Sequence, residues 1–359
     1  MQRTVIASPT RCSSRRIRFW VNLVSLHAVF LSLLSVQAQS DWPVVGHDPQ
    51  ALRYSPLKQI DAHNIARLAP AWTFQLKDDD NATGSRTIES VPIVVNNRMY
   101  VSWPFCHVAA LDSETGHRLW QYTASNCPYR GPGLSSMRSV AYWPGDKQRA
   151  ARILFGTEEG ELYALDAKTG TPVEEFGANG IVNLKTPDVM RGYNRMHYGL
   201  TSAPLVYQDL VITGSHIDDE TGRKGPAGDV RAWDIRTGKL VWTFHTVPRP
   251  GESGHETWAG DSWEDVGGGN VWSFFTLDAQ RGMLYMPVGS VNNDHYGVDR
   301  PGANLFGNSL VAVDVKTGKL KWYFQAIHHD LWDYDMPAAP MLFYVVQGGM
   351  KIPAVAVIT

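Results

Sequence analysis

The sequence predicts an all-β chain of four-stranded propeller blades, and three observations carry that expectation. One hairpin pattern recurs four times, a Trp closes three of the copies at the same offset, and no long amphipathic helix interrupts them. The copies are Ala109–Trp120, Tyr163–Gly170, Arg231–Trp242 and Val311–Trp322. In each, an apolar alternating run leads into Asp-x-x-Thr-Gly turn chemistry, at Asp112, Asp166, Asp234 and Asp314. Asp and Thr bond nearby backbone N–H groups, and Gly accepts positive φ at little cost. A second strand then ends in Trp120, Trp242 or Trp322, whereas the second copy offers only Phe176. The Asp-to-Asp spacing widens from 54 to 68 to 80 residues, as expected for a constant hairpin with growing loop insertions on one face.

Other segments fit the same reading. Strand signals fall at Ile93–Val101, Arg152–Thr157, Leu205–Gly214, Met283–Gly289 and Ala354–Ile358. A β-sandwich with coincidental Thr-Gly turns is the alternative. It does not explain why Trp recurs at one offset.

Composition narrows the function classes. A formal net charge of −2 gives no electrostatic basis for binding nucleic acid or an anionic membrane. The 13 Trp and 32 Gly suit a turn-rich β protein with aromatic packing between sheets. Residues 1–39 read as an export signal: Arg11, Arg15, Arg16 and Arg18 precede the mostly apolar Phe19–Val36, and Val36-Gln-Ala38 resembles a small-x-small cleavage site. An uncleaved anchor is the alternative. Either way the folded part, residues 40–359, is expected in the periplasm or another extracytoplasmic space. There Cys106 and Cys127 could pair or remain two separate thiols. The lack of Cys-x-x-Cys-His excludes a c-type haem attachment site in this chain.

Three segments carry more chemistry than a scaffold needs. His328-His-Asp-Leu-Trp-Asp-Tyr-Asp-Met-Pro337 interleaves carboxylates, imidazoles and aromatics directly after the fourth hairpin. Gly267-Gly-Gly-Asn-Val-Trp272 combines glycines that permit close backbone approach with an indole that offers a stacking face. Met137-Arg-Ser-Val140, Thr201-Ser-Ala-Pro204 and Gly214–Asp219 make up the third group.

With these residues in view, the chain resembles the pyrroloquinoline quinone (PQQ)-dependent dehydrogenases, which are eight-bladed propellers. The resemblance runs over about 40–359. It is carried by Asp41-Trp-Pro-Val-Val-Gly-His-Asp48, Ile60–Leu68, Trp272–Asp278, Leu284–Gly289 and His328–Asp333, the last similar to the quinoprotein glucose dehydrogenase branch. It implies a redox cofactor, PQQ, and a hard divalent ion, Ca²⁺ or Mg²⁺. By that resemblance Asp333 is the catalytic base, with Asp330 the weaker candidate. Trp272, Arg138, Ser202, Gly269 and Asn270 contact the quinone, and Asp218, Ser290 and Asn292 surround the metal. The implied substrate is the hydroxyl of an aldose, polyol or alcohol, and the implied electron acceptor is ubiquinone or a cytochrome c.

Departures are visible. Alcohol-type members place an Asn metal ligand where Ser290 stands, and their paired adjacent cysteines are absent here. A His beside the quinone in the membrane-bound glucose enzymes corresponds to Leu134. Lys351–Thr359 resembles the strand that approaches a quinone-contacting basic residue, which would fall just past Thr359. The chain is therefore expected to hold half to five-eighths of a propeller, and to be poorly stable and inactive by itself. Two other readings compete: a non-catalytic propeller scaffold for protein binding, and a hydrolase using Asp330 and Asp333 as paired carboxylates.

Overall fold

The computed structural model describes residues 41–76, 88–125, 127, 137–218 and 222–359. The leader and Leu134 lie outside the described residues. Four antiparallel four-stranded sheets follow one another along the chain. The first contains β1 (Ile93–Val95), β2 (Arg98–Trp103), β3 (His107–Asp112) and β4 (Arg118–Thr123). The second contains β5 (Ala141–Trp143), β6 (Arg152–Gly156), β7 (Glu161–Asp166) and β8 (Ile181–Asn183). A four-residue helix, α1 (Pro187–Met190), and a short strand, β9 (Tyr198–Gly199), lead on.

The third sheet orders β10 (Leu205–Tyr207), β11 (Leu210–Thr213), β13 (Val230–Asp234) and β14 (Leu240–Phe244). Between β11 and β13 the chain inserts β12 (His216–Ile217), which pairs with β9. The fourth sheet is β15 (Thr276–Asp278), β16 (Met283–Val288), β17 (Ser309–Asp314) and β18 (Leu320–Gln325). A further hairpin, β19 (Met341–Gln347) with β20 (Met350–Ala356), ends the described chain. The predicted propeller architecture is present as successive blades.

The repeated Asp is a turn organiser. In all four hairpins its Oδ1 accepts from the N–H groups two and three residues on and from the Thr hydroxyl, at 2.8–3.1 Å. The Gly that follows has φ between +69° and +74°, a region other residues enter only with strain. In the first, third and fourth sheets a bulge falls just before this turn, between Ala110 and Leu111, Ala232 and Trp233, and Ala312 and Val313.

The Gly has a second role. A Cβ on Gly116, Gly170 or Gly318 would stand 2.5–2.7 Å from the six-membered ring of Trp72, Trp120 or Trp242 respectively. Each of these indoles belongs to the stretch before or the outer strand of the preceding blade. Their Nε1 atoms donate to Ser113, Ala167 and Val315 carbonyls at 3.1–3.2 Å. The Trp of one blade is thus docked on the hairpin Gly of the next. The second blade breaks the pattern: Gly238 meets Val182 and the backbone of Gly177. Phe176, the sequence candidate for the missing Trp, is buried in the core nearby, and Val182 makes the contact.

Burial follows the seams. Separate apolar clusters join blades one and two around Tyr100, Trp120 and Phe155, blades two and three around Phe176, Val182 and Ile235, and blades three and four around Trp242, Phe244 and Val313. Two expected single strands are in fact hairpins. Ile93–Val101 turns at Asn96-Asn97, both at positive φ, as a two-residue hairpin turn requires. Leu205–Gly214 turns at Gln208-Asp209, with Gln208 at φ +52°. In both, an apolar run spanning two short strands conceals the turn. Cys106 and Cys127 are joined in a disulfide, which settles the open cysteine question.

The seam predicts an ordered pair of substitutions. Trp242→Ala removes a large buried ring and should cost about 3–5 kcal/mol. Trp242→Phe keeps an aromatic face and loses chiefly the Nε1 bond, costing about 1 kcal/mol. Equal losses in denaturant titration would contradict the docking role.

Candidate functional site

The site residues converge from three blades because each sits in a loop that leaves a core strand. Arg138 precedes β5. Its backbone N–H donates to Thr201 O at 3.0 Å, and its Nη1 donates to Thr201 Oγ1 at 2.7 Å and to Trp272 O at 3.2 Å. The guanidinium lies 4.9 Å from the centroid of the Trp272 ring, over its face. Burial pulls the Arg138 pKa below its ordinary value, opposed by Glu89, 3.0 Å from Nη2, and by Glu158. Arg138 therefore ties blade two, the loop before β10 and Trp272 into one arrangement.

Trp272 is held from its other end. Its Nε1 donates to Asp335 Oδ2 at 2.5 Å, and Asp335 Oδ1 accepts from Ser290 N–H at 2.6 Å. Gly289 permits this approach, since a Cβ there would stand 2.7 Å from Asp335 Oδ1. Asp335 was not singled out among the acidic residues of His328–Pro337, because spacing alone does not say which carboxylate faces the indole. Glu89 and Asn308 also escaped sequence reading, since no motif marks them, whereas Thr201 opens the Thr201–Pro204 segment that the sequence did single out.

Asp330 is buried and saturated. Oδ2 accepts from Ser290 Oγ, Asn308 Nδ2 and Tyr334 N–H at 2.8–3.0 Å, and Oδ1 accepts from Trp332 N–H at 3.1 Å. Its carbonyl accepts from the buried Arg300. The loop folds around this carboxylate and presents Trp332, Asp333 and Tyr334 outward. Asp333 is exposed and sits at φ +57°. Asp330 and Asp333 thus have unlike environments.

The remaining predicted residues divide. Gly268 and Gly269 are at positive φ, but they press on protein: Gly268 on Asn292, and Gly269 on Val291 with its N–H on Ser290 O. Asn270 is buried and donates to Ser215 O at 2.7 Å. Ser290 Oγ is committed to Asp330 and Asn308. By contrast, Ser202 Oγ and Asn292 Oδ1 are buried with no hydrogen-bond partner. Asn292 Nδ2 donates to the Asp218 carbonyl at 2.9 Å, so Asn292 and Asp218 are neighbours.

Those two orphaned atoms provide the fit test for a bound cofactor and ion. Buried polar atoms ordinarily find partners. A hydroxyl on the residue that follows Thr201, the partner of Arg138, and an amide oxygen on the residue bonded to Asp218 are suited to a polyanionic ring and a hard cation respectively. The residues present fit both groups.

Comparison with known proteins follows the same lines. The family model described as "PQQ: Glucose/ethanol/alcohol dehydrogenase, beta-propeller domain" matches residues 42–359. The chain is 32% identical over 343 residues to quinoprotein glucose dehydrogenase A of Acinetobacter calcoaceticus, covering 90% of this chain and 42% of that protein. It is 34% identical over 309 residues to quinohemoprotein alcohol dehydrogenase ADH-IIG of Pseudomonas putida, covering 82% and 39%. The structure of quinohemoprotein alcohol dehydrogenase from Comamonas testosteroni matches with a TM-score of 0.73 at 29% identity, over 89% of this chain and 48% of that one. The chain spans less than half the length of these relatives.

The contrast between the two carboxylates is measurable. Asp330→Ala strands several buried donors and should cost about 3–5 kcal/mol. Asp333→Asn changes an exposed residue to one that also tolerates positive φ, and should shift stability by no more than about 0.5 kcal/mol. Thermal and denaturant midpoints of the two variants decide the matter.

Proposed function

We propose, from the premise that the chain belongs to the PQQ-dependent glucose/ethanol/alcohol dehydrogenase β-propeller family, that the protein oxidises the hydroxyl of an aldose, polyol or alcohol. The product is a carbonyl or lactone. Electrons pass on to a quinone or cytochrome acceptor. The observation that carries this reading is the Arg138–Trp272–Asp335 arrangement with the orphaned Ser202 Oγ and Asn292 Oδ1 around it.

Trp272 offers the stacking surface, and its indole is fixed by Asp335 so that the ring cannot rotate away. Arg138 and Ser202 would hold anionic and carbonyl oxygens of the quinone. Asn292 Oδ1 and the Asp218 carboxylate would hold the divalent ion, whereas the Ser290 hydroxyl is spent on Asp330 and would serve as a support. When bound, the quinone supplies a two-electron acceptor and the ion a Lewis acid beside it. Asp333, exposed at the loop tip, takes the proton of the substrate hydroxyl as a general base. Asp330 anchors the backbone that carries it.

Export supports the same picture. The Arg-rich leader followed by an apolar run, together with the Cys106–Cys127 disulfide, points to an oxidising, extracytoplasmic compartment. Among the described residues, no helix is long and apolar enough to cross a membrane.

Two measurements test the proposal. PQQ with Ca²⁺ should raise the thermal midpoint of the protein, because a ligand of the native state stabilises it. Trp272→Ala and Asn292→Ala should each diminish that rise. No shift at saturating quinone would favour a non-catalytic scaffold. In a complete protein that carries this segment, Asp333→Asn should lower kcat in dye reduction by roughly 10²–10⁴-fold while preserving the quinone-induced shift.

A further inference from the structure

A second cluster of ligand-type side chains is made of residues other than those assigned to the quinone and its ion. Glu158 sits in the β6–β7 turn, His197 directly before β9, and His216 opens β12. The β9–β12 ladder sets His216 opposite Gly199 and Ile217 opposite Tyr198, so His216 and His197 stand diagonally across it on the same face. The rings meet edge to face with centroids 5.0 Å apart. Gly199 lets this ladder close onto the Glu158 backbone, since a Cβ there would stand 2.8 Å from Glu158 O, and Leu200 N–H donates to Thr157 O at 2.8 Å.

The donor atoms converge. His197 Nε2 is 2.9 Å and His216 Nδ1 is 3.4 Å from Glu158 Oε2, and one ligand atom from each residue lies within 4.8 Å of the others. Glu158 and His197 are each more than nine-tenths buried. Despite that proximity His197 Nε2 has no aligned hydrogen bond, and Glu158 Oε1 has no partner at all. A buried carboxylate oxygen left unpaired carries the full cost of its desolvation. An ion between the three donors removes that cost and satisfies the imidazole nitrogen too.

We propose that Glu158, His197 and His216 form a binding site for a borderline divalent transition ion of the zinc(II) class. Two imidazoles and one carboxylate suit such an ion, whereas calcium and magnesium select oxygen donors. A tetrahedral ion with bonds of about 2.1 Å separates its ligands by roughly 3.4 Å, and the donor atoms, all within 4.8 Å of one another, are spaced on that scale. Three protein ligands leave a fourth position open. His216 is the only partly exposed member, so the ion enters and water binds from its side. The site does not depend on the quinone reading, and its ligands are none of those given to the quinone or the hard ion.

The test uses the protein stripped by a chelator and kept in excess Ca²⁺, so that oxygen-donor sites are filled. Zn²⁺ is then added and counted by elemental analysis after dialysis, and Co²⁺ is added separately as a spectroscopic probe. The expected result is about one ion per chain, with a four- or five-coordinate Co²⁺ spectrum showing nitrogen ligation. His216→Asn, at the partly exposed position, and Glu158→Gln should each weaken Zn²⁺ binding by at least about tenfold. They should also abolish the Zn²⁺-induced rise in thermal midpoint. No stoichiometric uptake by the unsubstituted protein overturns the proposal whatever the variants do. Uptake of equal affinity in both variants overturns it as well.

Discussion

The contact between one blade's indole and the next blade's hairpin glycine governs where everything else stands. A Gly at φ near +70° leaves a gap that the Trp ring fills, and the ring's only donor closes on the adjacent carbonyl. Each seam that carries this pair therefore has a fixed lateral register, and between blades two and three Val182 takes the place of the ring. With the blades locked at their outer edges, the strands toward the other edge and their loops are driven to one place. The intervals that widen the repeat to 68 and 80 residues carry Thr201 and Trp272, while Arg138 lies in the first interval of 54 and Asp330 follows the last hairpin.

Within that convergence, charge is handled by neutralising each buried ion with a fixed set of partners. Arg138 is desolvated over an indole, and Glu89 offsets the cost from the other side. Arg300 is buried and reads two loops through the Asn304 amide and the Asp330 and Asn293 carbonyls. Asp330 collects four donors and so can be buried without a cation at its oxygens. Removing one member leaves others unpaired, which makes the network cooperative and rigid. A rigid support of this kind holds a reacting side chain in place better than a free loop does.

The fold was legible because its controlling contacts are local in sequence. Asp112, Thr115 and Gly116 lie within five residues, and so do their three counterparts, so the pattern and the physics coincide. The docking of Trp242 on Gly318 was half visible: both residues are in the motif, but their partnership crosses 76 positions. Val182 in place of a Trp was invisible, because an insertion moves it away from the motif's offset. At the site, the segments that the sequence singled out do meet, with Arg138 over Trp272 and Trp272 bonded to Asp335. They did not reveal that Gly268 and Gly269 pack on Asn292 and Val291, or that Asp335 and not a neighbour faces Trp272. The choice among Asp330, Asp333 and Asp335 depends on loop path, and that path is set by Asn308 and Arg300 from other elements.

The small β9–β12 ladder occupies an unusual position in this scheme. It is outside the four blades, yet it is braced on blade two through Thr157 and on the Trp272 side through Ser215, whose N–H donates to Val271 O and whose carbonyl accepts from Asn270. Asp218 lies two residues beyond His216 on the same segment, and Asn292 holds its carbonyl. Oxygen donors thus gather at one end of the segment and imidazoles precede them. Hard and borderline cations are separated by donor type and not by distance alone. An ion fixed between His197, His216 and Glu158 would clamp β9 to the β6–β7 turn. That clamp would limit the freedom of Asp218 and of Thr201, the residue that positions Arg138. Through these shared segments, order imposed by such an ion would reach the face of Trp272.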